Sequence, residues 1–281
     1  MIKKPSVSKK GAPMSNTASH TPKKVFLSGN ALKMIAIITM LIDHVTAVTV
    51  ENHILPDIVK SYIGATDTIY TQKDYMFWIN VDTIGRGIGR LAFPIFVFLL
   101  VEGFYHTSSV LKYAFRLLIF ALISEIPFDM AIYGTYFNFE YQNVYFTLLL
   151  SLLMMWGFDY VAENVQNKAL KIFLMTLIFL TASFVSICIK CDYNIMGIAI
   201  AASIYLLRQK PRFMWIGVTF AMLLTMGIVG SSVLELAGVL SFILIARYNG
   251  ERGSFNLKYL FYAFYPLHLF VLGILNIFVL K

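Results

Sequence analysis

The chain has 281 residues, of which 58% are apolar and only 14% charged, against about 25% charged in a water-soluble domain. With a mean hydropathy of +0.72, this composition excludes an ordinary soluble enzyme and makes lipid the main surrounding. The net charge of +8 sits largely in the N-terminal tail and in alternate loops, as membrane orientation requires, so nucleic acid is not expected as a partner.

A hydrocarbon layer of ~30 Å takes about 20 apolar residues per helical span. Helices satisfy their own backbone groups, and the apolar runs lack strand-like alternation. The expected class is therefore all-α, a polytopic transmembrane helix bundle. Residues 1–27 form a tail with six lysines and no acid. The apolar run that follows lacks a small-residue cleavage site and is read as a retained span, not a signal peptide. In chain order the expected spans are 31–50, 84–104, 111–133, 143–160, 169–188, 194–207, 212–228, 231–247 and 259–280. That makes about nine, with eight to ten as the range, because 194–207 is short and the turn near 227–232 is tight.

The 28–281 domain would carry one long outer loop, 51–82, between its first two spans. Lys112 and Arg116, Lys168 and Lys171, Arg208, Lys210 and Arg212, then Arg247, Arg252 and Lys258 share the tail's side of the bundle. The opposite connections are acidic, mixed or uncharged. The alternation places the N-terminus in the cytoplasm and the C-terminus outside. No internal repeat suggests the paired halves of a transporter. Cys188 and Cys191 have no second pair to complete a four-ligand zinc site, and no metal is expected.

Ionisable residues within spans are expensive in lipid and mark function by default. Lys33 and His44 are eleven residues apart in the first span, within about 20° of one helical face and ~16 Å apart along the axis. That stripe joins a cationic entrance to a buried imidazole and suits a charged donor whose reactive end reaches into the membrane. From this span alone, a snorkelling lysine and a packed histidine carry more weight. Asp43 is 100° around the helix from His44.

Arg86 and Arg90 share a face of the second span in Gly-Arg-Gly-Ile-Gly-Arg, where glycine allows close backbone approach. Two guanidiniums there suit a carboxylate, a phosphate or a developing oxyanion; the alternative is ion pairing with Glu125 and Asp129 of the third span. Glu102 and His106, also four apart, are expected to pair with Lys112 or Arg116. Glu235 and His268 lie in the last two spans. No Gly-x-Ser-x-Gly elbow or His-Glu-x-x-His helix is present, which disfavours a serine hydrolase or zinc protease.

The segment Ala31-Leu-Lys-Met-Ile-Ala-Ile-Ile-Thr-Met-Leu-Ile-Asp-His44 resembles the first block of TraX-family proteins. Similar blocks follow in order: Arg90-Leu-Ala-Phe-Pro-Ile-Phe with Val101-Glu-Gly-Phe-Tyr-His-Thr107, and Arg116 through Asp129. Asn143-Val-Tyr-Phe-Thr-Leu, Cys191-Asp-Tyr193, Tyr248-Asn-Gly-Glu-Arg-Gly253 and Phe264-Tyr-Pro-Leu-His268 complete the set, over about residues 28 to 275. The resemblance implies an acyltransferase of the bacterial cytoplasmic membrane, typified by pilin acetylation, with acetyl-CoA as donor.

It is similar also to family-3 membrane acyltransferases, in which a basic residue, ten intervening residues and a histidine match Lys33 and His44. Their arginine motif has two intervening residues, where Arg86 and Arg90 have three. The resemblance implies His44 as base or acyl carrier, Arg86 or Arg90 as oxyanion or phosphate stabilisers, and Lys33 on the CoA side. Asp43, Glu125, Asp129, Glu102, His106 and His268 are supporting. The acceptor would be pilin, a surface polysaccharide or a lipid-linked glycan. The competing readings are a transporter or flippase and a non-catalytic pilus or fimbria assembly protein.

Overall fold

The structure is a computed structural model that describes residues 26–61, 73–230, 232–254 and 258–280. Among these the regular elements are helices, with two isolated bridges at Leu27–Tyr248 and Gln142–Cys191. Helix α1 (Gly29–Thr46) runs through a π-helical stretch, Ala47–Ile54, into α2 (Leu55–Ser61). Then come α3 (Lys73–Gly89), α4 (Ala92–His106), α5 (Val110–Tyr133), α6 (Val144–Asn164), α7 (Lys168–Cys188), α8 (Asn194–Leu207) and α9 (Pro211–Val229). A 3₁₀ segment (Val233–Leu240) leads into α10 (Ser241–Ile245), and α11 (Lys258–Ile274) ends in a π turn, Leu275–Val279.

Among the described residues, six helical stretches are long and apolar enough to cross a membrane: Gly29–Ser61, Lys73–His106, Val144–Asn164, Lys168–Cys188, Pro211–Ile228 and Leu260–Val279. They describe a multi-pass membrane protein. Nine crossings are reached only by adding the charged α5 and the shorter apolar helices Asn194–Leu207 and Val233–Ile245. The expected tail lies, up to residue 25, outside the described residues, as do 62–72 of the expected 51–82 loop. The described parts of that loop are helical. Charge lowers their hydropathy, but a helix that outruns the hydrocarbon layer satisfies its backbone equally well in water.

Helix ends follow their side chains. The Ser28 hydroxyl accepts from Ala31 N at 3.2 Å, and the carbonyls of Glu251 and Arg252 take the Gly29 and Asn30 amides at 2.8 and 2.9 Å. The 247–252 segment thus satisfies amides that the first turn leaves unpaired. Ser109, Asn143 and Asn167 cap α5, α6 and α7 in the same manner. At the other end, His53 Nε2 meets Asn276 Oδ1 at 2.7 Å, while Asn276 Nδ2 donates to the Met130 and Ala131 carbonyls at 3.2 and 2.9 Å. The continuation of α1 is tied to α5 and α11 through His53, a residue that carries no signal in the sequence.

Helix α1 packs on α3, α4 and α11; α11 lies along α5; α6 sits among α5, α7 and α8; and α8 contacts α4 and α9. Leu32, Ile95, Phe104, Leu152, Met155, Ile198 and Leu269 are fully enclosed. Phe173, Phe184, Phe220 and Leu224 are exposed, as a lipid-facing surface requires. The α3–α4 break has a local cause. Pro94 has no amide to give the Arg90 carbonyl, Leu91 N turns back to Ile88 O at 3.2 Å, and Gly238 packs its bare Cα there, since a methyl would come within 2.9 Å of Arg90 O.

The α1–α3 contact is set by Gly85 and Gly89, the small-xxx-small spacing that brings membrane helices close. A methyl on Gly89 would lie 2.2 Å from Asp43 Cβ, and one on Gly85 2.2 Å from Thr46 Oγ1, whereas on Gly87 the nearest atom is Leu234 Cδ1 at 3.4 Å. Gly89→Ala is expected to destabilise by about 1–3 kcal/mol through overpacking, outweighing the gain of up to ~1 kcal/mol in helix propensity. Gly87→Ala should be neutral or stabilising. Thermal unfolding of the two variants in detergent tests the contrast.

Candidate functional site

Two cavities inside the bundle are lined by the expected site residues. The larger, about 570 Å³, opens at the end carrying Lys33, Arg116 and Arg252, here called the basic end. Aromatic rings wall it: Lys33 Nζ lies 5.0 Å from the Phe261 ring centre, and the Arg116 guanidinium 5.6 Å from that of Tyr113. Among the described residues neither Lys33 nor Arg116 forms an ion pair. Glu102, on the same wall, is taken by Arg208 Nε at 2.7 Å, with His106 Nε2 at 3.8 Å. A cavity with cations left over and low-dielectric aromatic walls attracts anions.

The smaller cavity, about 220 Å³, is lined by Asp43, His44, Arg86, Arg90, Asp192 and Tyr193 among others. Its arginines are already neutralised. Arg86 Nη1 lies 2.9 Å from Asp43 and its Nε 3.3 Å from Glu51. Arg90 Nε lies 3.0 Å from Glu235 and its Nη1 3.8 Å from Asp43, with the Tyr193 hydroxyl at 3.4 Å. Asp43 is shared by two guanidiniums because its 100° offset from His44 turns it toward α3. Tyr193 sits at φ 59° and stacks on Phe93 with ring centres 3.8 Å apart.

Met40, Phe96, Val144 and Tyr265 line both cavities. They make up a mainly apolar boundary between the two, called the neck below, and Met40 precedes His44 by one helical turn. Beside it, His44 Nδ1 lies 2.7 Å from His268 Nε2, and His268 Nδ1 lies 2.8 Å from the Phe264 carbonyl. The two imidazoles are nearly parallel, 11° apart, and the Tyr265 ring meets His44 edge-on at 6.0 Å. Pro266 fixes this stretch of α11: it cannot donate to the Tyr262 carbonyl, which accepts instead from the Tyr145 hydroxyl at 3.2 Å.

The expected residues thus fall into three groups. His44, Asp43, Arg86 and Arg90 meet at the small cavity with His268 behind His44, while Lys33, Glu102 and His106 line the large one. Glu125 and Asp129 do not reach the arginines: Glu125 accepts from the Asn143 amide and side chain, and Asp129 from Asn138 N at 2.7 Å. Both carboxylates hold the 134–143 connection, and Asp43, Glu51 and Glu235 are the partners of Arg86 and Arg90. Glu102 is corrected likewise, pairing with Arg208 in place of Lys112 or Arg116.

Asp192, Tyr193 and Tyr265 are site residues that sequence reasoning missed. Each stands inside a block quoted for the resemblance, and Tyr265 is three residues from His268 on one helical face. Asp192 lies in the connection after α7, where the Gln142 carbonyl accepts its amide at 2.8 Å, Thr147 donates to its carbonyl, and its Oδ1 accepts from Tyr193 N at 2.9 Å.

Burial pushes the Asp192 carboxyl up from 3.8 to about 6, against the opposing pull of Arg90. Its folded value exceeds its unfolded one, so the protein loses stability as pH rises from about 4 through 6. Asp192→Asn keeps the oxygen that accepts from Tyr193. It is expected to unfold at higher temperature than the native chain at pH 8, with the gain shrinking below pH 6 and vanishing near the unfolded value of 3.8. Thermal unfolding across pH checks it.

The TraX protein family profile matches residues 28–276. A curated relative, "Probable fimbrial assembly protein FimC, serogroup H1" of Dichelobacter nodosus, is 32% identical over 206 residues, covering 66% of this chain and 80% of its own. No solved structure matches the chain. A profile match across nearly the whole chain, with the matched blocks converging on the two cavities and their neck, makes this chain a member of the TraX family.

Proposed function

We propose that this TraX-family protein is a membrane acyltransferase that moves an acetyl or other small acyl group from acyl-CoA to an amine or hydroxyl. The observation that carries the reading is the position of His44, on the wall of the small cavity and one turn from Met40, a residue that lines both cavities. A group that moves protons belongs where two substrates arriving from opposite ends would meet.

The large cavity suits the donor. Lys33, Arg116 and Arg252 match the phosphates of coenzyme A and the aromatic wall matches its base, and the acylated arm would reach His44 past the four residues that line both cavities. The rise of ~16 Å from Lys33 to His44 separates the charged from the reacting part. By the positive-inside rule the basic end faces the cytosol, where acyl-CoA resides, and the acceptor enters from the far side.

In the transfer, the acceptor nitrogen or oxygen attacks the thioester carbonyl carbon while His44 takes its proton. The carbon–sulfur bond then breaks, and the proton passes from His44 to the departing sulfur. Arg86 and Arg90 hold Asp43, Glu51 and Glu235 in place and give the cavity its fixed field. The relative's fimbrial name favours a pilin-like or fimbrial subunit as acceptor over a surface or lipid-linked glycan. The same name supports a second reading, a non-catalytic assembly partner.

Transfer from radiolabelled acetyl-CoA in membranes separates these readings. His44→Ala is expected to lower transfer at least a hundredfold, the range for loss of a general base. Label independent of His44 would refute its catalytic role. No label from either protein, at verified and equal amounts, would leave the assembly partner or a transporter.

The neck gives a second test. Phe96→Ala removes one of its walls, and butyryl-CoA is expected to gain about tenfold on acetyl-CoA, the size of discrimination that one or two methylenes allow. Competition between the two donors reads the ratio.

A further inference from the structure

His268 does not line either cavity and is itself buried, yet its ring touches His44. A main-chain carbonyl can only accept a hydrogen bond, so the His268 nitrogen 2.8 Å from Phe264 O, Nδ1, must carry the hydrogen. Neutral His268 then presents a bare lone pair at Nε2. The contact of 2.7 Å with His44 Nδ1 requires one hydrogen between the two nitrogens, and only Nδ1 of His44 is left to supply it. Neutral His44 therefore carries its hydrogen on Nδ1 and its lone pair on Nε2.

We infer that His268 is a positioning residue: by accepting from His44 Nδ1, it fixes the tautomer that leaves Nε2 of His44 as the basic atom for the small cavity. The direction of the chain is set by a group that cannot change, the Phe264 carbonyl, one helical turn before His268 on α11. Two stacking contacts keep the rings in line: His44 on His268 with centres 5.0 Å apart, and His268 on Phe264 at 4.9 Å. The other ring nitrogen of a histidine commonly decides which nitrogen reacts, and here a second imidazole takes the place more often held by a carboxylate. It brings no further charge into a region that already holds three carboxylates around two guanidiniums.

The chemical meaning of this inference rests on the transfer reading, but its geometry does not, and the test keeps the two apart. Histidine-¹⁵N spectra of the full chain in lipid nanodiscs, with His44 assigned by its loss in His44→Gln, report which nitrogen bears the hydrogen without any donor present. The native protein is expected to show His44 as the Nδ1–H form. In His268→Leu, which removes the acceptor, His44 should revert toward the Nε2–H form of a free imidazole. Transfer should fall at least tenfold in kcat with the KM for acetyl-CoA unchanged.

His268→Gln, whose amide oxygen can accept in the same place, should keep the Nδ1–H form and most of the activity, and it remains informative should the leucine variant not fold. An Nε2–H His44 in the native protein would overturn the inference, as would a glutamine variant that loses the Nδ1–H form while folded. A native protein with the expected tautomer and no transfer would overturn the proposed function and leave the inference standing.

Discussion

Asp43 is a carboxylate buried within a membrane helix, and the guanidiniums of Arg86 on α3 and Arg90 in the α3–α4 break close on it. An unpaired charge at that depth would cost several kcal/mol, so α1 and α3 have little freedom to separate, slide or rotate once they meet. Gly85 and Gly89 let the helices come near enough for the pair to form. Glu51 and Glu235 then balance what remains of the arginine charge, and with Glu235 the 3₁₀ segment is drawn in against the α3–α4 break. The face of α1 that carries His44 is fixed as a by-product. His44 cannot turn away from α11 without breaking the ion pairs next to it in sequence.

The two ends of the interior differ in kind. At the basic end, cations stand among aromatic rings, and the nearby carboxylate Glu102 is claimed by Arg208. Beyond the neck, each guanidinium has one carboxylate of its own and a share of Asp43. Excess positive charge on one side and a closed network on the other is what two chemically different ligands would require. It also gives Arg86 and Arg90 a part in shaping the small cavity, beyond any contact they make with a ligand.

Periodicity made much of this legible. A separation of eleven residues put Lys33 and His44 on one stripe, and the structure gives each a cavity on that stripe. The spacing of four put Arg86 and Arg90 on one face and Glu125 and Asp129 on another, but a helical face says nothing of which neighbour it meets. Three-dimensional packing assigned the arginines to Asp43, Glu51 and Glu235. Glu51 was hidden because the fall in hydropathy after residue 50 reads as a loop, when the helix in fact continues to Ser61. Asp192 was hidden because one acid in a short connection has no pattern around it. The His44–His268 contact joins residues 224 apart, a distance that no local rule spans.

The neck carries a consequence for the cell as well as for the ligands. Two cavities with charged walls, set end to end across a bilayer, would thin its insulation, and a file of water through them would let protons run down the membrane potential. Met40, Phe96 and Val144 put hydrocarbon and an aromatic ring between the two cavities, and an apolar constriction there would shed water. In a membrane that holds a potential, such a plug would keep the leak per copy small.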